Sequence, residues 1–110
     1  MLDGISSYLV RYMDLLSTRQ KLVASNIANA DTPGYKTKDI DFQFEFMTLA
    51  AGQQPQTTDV TGLTEKPDGN NVSIDREARM LAEDAIRFNL ASTVLRNQVR
   101  AIRSAIEEGK

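Results

Sequence analysis

Cysteine, histidine and tryptophan are absent from this 110-residue chain. Without thiol or imidazole there is no disulfide framework, no thiolate nucleophile, no imidazole base and none of the usual zinc, haem or iron–sulfur ligand sets. No cofactor and no metal is therefore expected. The lack of cysteine suits passage into an oxidising space but assigns no compartment. A dominant charge is missing too. Thirteen Lys and Arg face fifteen Asp and Glu, a formal net charge of −2, so the broad basic field that drives binding to nucleic acid or anionic membrane is absent. Nor is there a run of the ~20 apolar residues needed to span a bilayer, because Arg11, Asp14, Arg19 and Lys21 interrupt the N-terminal segment. Met1-Leu2-Asp3-Gly4 lacks the basic opening of a secretory signal, so any export is expected to proceed without a cleaved signal peptide. The length fits one domain or one long supersecondary unit and excludes a multidomain enzyme.

What remains is strongly patterned. All three prolines and four of the six glycines lie between residues 31 and 74, and the flanks carry helical periodicity. Ala78, Leu81, Ala85, Phe88, Ser92, Leu95, Val99, Ile102 and Ile106 follow alternating steps of three and four, which keeps one stripe on one side of a helix. Asp75 is read as the N-cap, with Glu77 in the first turn and Arg100 and Arg103 towards the other end. Leu2, Ile5, Leu9, Tyr12, Leu16, Arg19, Val23, Asn26 and Ala30 repeat the steps near the N-terminus, where Arg19 and Asn26 break the apolar seam. Ile86, Leu90 and Val94 lie off the main C-terminal stripe, so that helix expects more than one neighbour. The expected fold class is all-α: two long terminal helices forming an antiparallel coiled-coil-like pair, with an extended, partly disordered middle. It divides the chain into an N-terminal helix (1–31), a turn, short extended segment and connector (32–74) and a C-terminal helix (75–110). A lone two-helix hairpin buries little apolar surface, so the stripes are expected to be completed by other chains.

Between the first helix and the middle stands Ser25-Asn26-Ile27-Ala28-Asn29-Ala30-Asp31-Thr32-Pro33-Gly34-Tyr35-Lys36. Pro33 stops the helix and pushes Thr32 out of the α region. Pro-Gly fits the centre of a type II turn from Thr32 to Tyr35. Asn26, Asn29 and Asp31 have short polar side chains that can bond local backbone or a neighbouring chain. Read blandly, this is a helix stop with polar decoration.

The same twelve residues closely resemble the N-terminal motif of the bacterial flagellar axial proteins, the rod, hook and hook-associated subunits. Asp39-Ile40-Asp41-Phe42 after it, and the stretch from Arg76 to Ile106, are similar to the rod subgroup. The resemblance implies a structural subunit of the proximal rod, polymerising through its terminal helices into a tube. It implies export through the flagellar type III apparatus and a place in the periplasmic part of the basal body. Implied partners are further copies, other rod subunits, the membrane-ring/rod junction proteins and the export apparatus, with neither nucleic acid nor a small-molecule substrate. The expected subunit interface is Leu9, Leu16, Val23, Leu81, Phe88, Leu95, Val99, Ile102 and Ile106. Arg96, Arg100 and Arg103 form either a solvated face or intersubunit pairs with carboxylates such as Glu83 or Asp84. A second reading is a small cytoplasmic helical-hairpin adaptor or export chaperone.

Ile40, Phe42, Phe44 and Phe46 alternate with Asp41, Gln43 and Glu45, which reads as a short half-buried strand, although Phe42 and Phe46 also fit as i and i+4 neighbours on a helix. On a strand Asp39, Asp41 and Glu45 face solvent opposite the phenylalanines, and they lack the glycine and further ligands of a calcium loop. Gly52 to Thr64 and Pro67-Asp68-Gly69-Asn70-Asn71 read as a mobile polar connector ending in a turn, with no chemistry expected there.

Overall fold

Helical periodicity at both ends becomes two helices of unequal length. In the computed structural model, which describes residues 2–48 and 54–109, the order is α1 (Leu2–Ala28), β1 (Lys38–Ile40), α2 (Phe42–Thr48), β2 (Thr57–Asp59) and α3 (Ile74–Glu108). Gly52 and Gln53 of the expected connector, and Lys110, lie outside the described residues. The 27 residues of α1 and the 35 of α3 correspond to about 40 and 52 Å of helix, and the molecule measures 68 × 25 × 18 Å. The pair is antiparallel: Arg19 meets Asp84 and, further along α1, Asn26 meets Glu77.

The helix stop falls where Pro33 demands it. Tyr35 N–H donates to Thr32 O at 3.2 Å and Gly34 has φ +76°, the positive value that a type II turn requires at its third position. At the other end α3 starts one residue before the expected N-cap. Ser73 caps it, its hydroxyl accepting from Arg76 N–H at 3.3 Å, while Asp75 stands in the first turn.

The middle departs most from expectation. Among the described residues of the middle, Lys38–Ile40 and Thr57–Asp59 are the strands, paired antiparallel so that Lys38 faces Asp59 and Ile40 faces Thr57. Part of the expected mobile connector is thus a β-strand, and Val60 N–H extends the ladder to Thr37 O. The phenylalanine row is helix, not strand. Asp41 caps α2 by accepting from Phe44 N–H at 3.2 Å, and the tyrosines of α1 select the helical spacing. Tyr12 stands edge-on to Phe42 and Phe46, at 5.4 and 6.0 Å between ring centroids, and Tyr8 reaches Phe46 at 6.1 Å. The acids do not share a solvent face. Glu45 is buried against α1, with Arg11 donating to its main-chain carbonyl, and Asp39 pairs with Arg76, which leaves Asp41 exposed beside Phe44 and Met47.

The core is thin and largely polar. Among the described residues the buried apolar side chains are Leu15, Leu16, Val23, Ile40, Val72 and Ala91, whereas Asn26, Thr37, Glu45, Asn70, Asn71, Glu77 and Asp84 are buried polar ones.

Candidate functional site

Asn26 organises the junction where α1 ends and α3 begins. It is fully buried, and its amide uses both donors and both acceptor positions. Nδ2 donates to Glu77 Oε1 at 2.6 Å and to Lys38 O at 2.9 Å, while Oδ1 accepts from Lys38 N–H at 3.1 Å and from the Tyr35 hydroxyl at 3.0 Å. The side chain thus pairs with the Lys38 backbone as a neighbouring strand would, and seats β1 against α1. A buried amide with its hydrogen bonds satisfied escapes the cost that makes asparagine rare in cores.

Glu77 and Asp84 extend the network along α3. Both have 0% exposure, and each buried carboxylate meets a cation. Arg19 donates to both Asp84 oxygens, Nε to Oδ2 at 2.9 Å and Nη2 to Oδ1 at 2.8 Å, in a bidentate fork. Arg76 Nη1 donates to Glu77 Oε2 at 2.5 Å and its Nη2 to Asp39 Oδ2 at 2.9 Å, so one guanidinium joins β1 to the base of α3. The hydrogen bond to Asp84 pushes the Arg19 pKa above its ordinary value, with burial acting in the opposite direction. Arg19 also lies 4.9 Å from the centre of the Phe42 ring.

The turn before α3, expected to be inert, closes over the sequence motif. Asn70 donates from Nδ2 to Asn29 O at 2.9 Å and to Thr32 O at 2.8 Å, and its Oδ1 accepts from Val72 N–H. Asn71 Oδ1 accepts from Thr37 N–H at 2.7 Å and from the Thr37 hydroxyl at 2.9 Å. Lys66 Nζ donates to Ala30 O, Lys36 Nζ to Gly69 O, and Gly34 N–H to Asp68 O. Residues 25–38 and 65–77 therefore form one clasp. Replacing Gly34 with alanine keeps free space around the new methyl but forces a side chain into positive φ. The expected loss is about 1–2 kcal/mol, read as a lower thermal midpoint in circular dichroism.

The motif residues therefore divide in the structure. Asn26, Asn29, Thr32, Gly34 and Tyr35 make the clasp bonds just described, whereas Ser25, Ile27, Ala28, Asp31 and Pro33 are exposed and Ala30 lends its carbonyl to Lys66. Of the residues expected at a subunit interface, Leu16 and Val23 are buried within this chain, Leu9, Phe88, Leu95 and Ile102 are half-buried, and Leu81, Val99 and Ile106 are exposed. The face of α3 turned to α1 holds Glu77, Asp84 and Ala91 and is rotated roughly 60° around the helix from the expected stripe. Arg96, Arg100 and Arg103 lie on exposed positions and line a shallow groove with Leu95 and Val99. Asp84, named as one partner for them, is committed to Arg19, while Glu83 stays exposed.

The rungs Arg19–Asp84 and Asn26–Glu77 escaped the sequence reading, which took Arg19 and Asn26 as flaws in a seam. A signal existed: Arg19 and Asn26 are seven residues apart, and so are Glu77 and Asp84. Among the described residues no cluster of acidic side chains is arranged to hold a metal ion, and no helix is long and apolar enough to cross a membrane.

Comparison with known proteins points one way. Residues 13–36, which contain Arg19, Asn26 and the Pro-Gly turn, match the family model for the flagella basal body rod protein. The chain is 29% identical to the flagellar basal body rod protein FlgB of Yersinia enterocolitica, across 98% of this chain and 97% of that one. It is 28% identical to the FlgB of Salmonella typhimurium, across 98% and 96%, and 26% identical to that of Borrelia hermsii, across 88% and 91%. The alignment with the Yersinia protein runs over 133 positions against 110 residues here, so the relative carries positions that this chain lacks. Both long helices and the motif between them are thus similar, nearly end to end, to flagellar basal body rod proteins.

Proposed function

We propose that this chain is a structural subunit of the proximal rod of the bacterial flagellar basal body, which polymerises through the outer flanks of its terminal helices. The observation that carries this reading is the distribution of apolar side chains on α3. One face is already covered by α1, yet Leu81 and Val99 stay 41% and 45% exposed on one side of it, and Ile86 and Leu90 stay 68% and 65% exposed on the other. A helix with apolar flanks on both sides of its covered face fits a position between two further helices. Contacts of that kind between different surfaces repeat without closing and build a rod.

In this reading the role is mechanical rather than enzymatic. Other rod subunits, further copies of the chain and the proteins joining the rod to the membrane ring are its partners, and the type III export apparatus delivers it to the periplasm. Arg96, Arg100 and Arg103 pair with acids of a neighbour, Glu83 being an exposed candidate on each copy. The likeness to rod proteins across 98% of the chain weighs against the adaptor reading.

Ile86→Asp combined with Leu90→Asp places two charges on an exposed flank that α1 never touches. Such a chain is expected to keep its helical content and unfolding midpoint as a free protein. It is expected to be missing from isolated basal bodies, in cells that no longer swim. Normal incorporation and motility would remove the packing argument.

A further inference from the structure

Apolar matching alone leaves the register of the two long helices open. Leu9, Leu16 and Val23 recur every seven residues on α1, and the half-buried Phe88, Leu95 and Ile102 do the same on α3. Sliding one helix along the other by seven residues, about 10 Å of travel, sets these repeats against each other again. The apolar side chains cannot tell the two arrangements apart.

The buried polar side chains can. Arg19 reaches Asp84 and Asn26 reaches Glu77 in the same register. If α3 slides until Glu77 faces Arg19, Asp84 comes level with Tyr12, a buried carboxylate without a cation, and Asn26 comes level with Asn70, ahead of the helix. In the opposite slide Asp84 faces Asn26 and Arg19 comes level with Ala91, so a guanidinium is left against a small apolar side chain. Either displacement strands a charge away from water. We propose that the Arg19–Asp84 and Asn26–Glu77 rungs are a register device, which selects one antiparallel alignment of α1 and α3 from a set that the apolar repeat makes nearly equivalent. Polar residues at seam positions of coiled coils act in this manner, with some loss of stability. The device acts before any assembly. It sets the height at which the exposed flank of α3 stands beside α1, and Arg76, bridging Asp39 and Glu77, ties that height to β1.

The absence of cysteine makes the test direct, because two introduced cysteines carry the only spin labels. Ser7→Cys on α1 and Arg79→Cys on α3 are both at exposed positions, well separated along the axis. Pulsed electron resonance on the full chain is expected to give a single narrow distance. In the same labelled chain, Arg19→Leu, Asn26→Leu, Glu77→Leu and Asp84→Leu together are expected to retain the helical circular dichroism signal and to add populations displaced by about 10 Å. Restoring Asn26 and Glu77 in that background is expected to recover one population. A single unshifted distance in the four-site variant would overturn the proposal, and so would persistent heterogeneity after restoration. Loss of helical signal in the four-site variant would overturn it as well, since the polar side chains would then supply cohesion rather than alignment.

Discussion

Replacing Arg19 with leucine is expected to remove about 3–5 kcal/mol from the unfolding free energy, because one half of a buried ion pair is left behind. Asp84 has no exposed surface, and both of its oxygens are held by Arg19. With the guanidinium gone, the carboxylate must either stay charged away from water or take up a proton, and each route costs stability at neutral pH. The reciprocal Asp84→Leu is expected to cost less. The Arg19 side chain is 12% exposed and lies over the Phe42 ring, so it can shift towards solvent and keep part of its stabilisation. Leucine at both positions is expected to regain most of the loss, as apolar replacements of buried ion pairs commonly do. Urea titrations of the four chains measure the coupling. Two single-variant losses that simply add in the double variant would mean that the pair is not coupled in the folded state.

The second large effect is expected from Asn26→Asp, which preserves shape and exchanges a donor for an acceptor. An aspartate oxygen would stand where Nδ2 now lies, 2.6 Å from Glu77 Oε1 and 2.9 Å from Lys38 O. Two carboxylates this close cannot both be ionised, so one of them holds a proton in the folded state well above the unfolded carboxyl value of about 4. A raised folded-state pKa means that the folded chain binds the extra proton and the unfolded chain releases it. The deficit relative to the parent chain is therefore small below about pH 4 and widens as pH rises through the raised value. At neutral pH it is expected to reach several kcal/mol. Thermal melts of parent and variant across the acid range measure it, and a pH-independent difference would rule out close approach of the two side chains.

Both expectations concern the inner face of the helix pair, and they separate folding from assembly. Arg19 and Asn26 act where α1 meets α3, whereas Ile86 and Leu90 lie where α1 does not reach. Substitutions of the first kind are expected to lower the stability of the free subunit, and those of the second kind to leave it intact while excluding it from the rod. The family-model match over residues 13–36 falls on the first kind, the segment that carries α1 into the clasp.

Local rules determined a good deal from the sequence alone. Apolar steps of three and four specify helices at both ends, because that spacing describes one side of a helix wherever it packs. Pro33 and Gly34 specify the stop and the turn through their own backbone sterics. The twelve-residue motif carried the family resemblance. Tertiary structure decided the rest. Which side of α3 faces α1 depends on Glu77 and Asp84, whose burial is tolerable only once Arg19 and Asn26, more than fifty residues away in sequence, stand opposite. Whether Phe42 to Phe46 forms strand or helix depends on the rings of Tyr8 and Tyr12, since the alternation is compatible with both. Asn70 and Asn71 look like ordinary turn residues because the groups they bond lie more than thirty residues earlier. Periodicity and turn sterics act between near neighbours and can be read along the chain. Partnership between buried polar groups is settled only when distant segments have removed the water that would otherwise satisfy them.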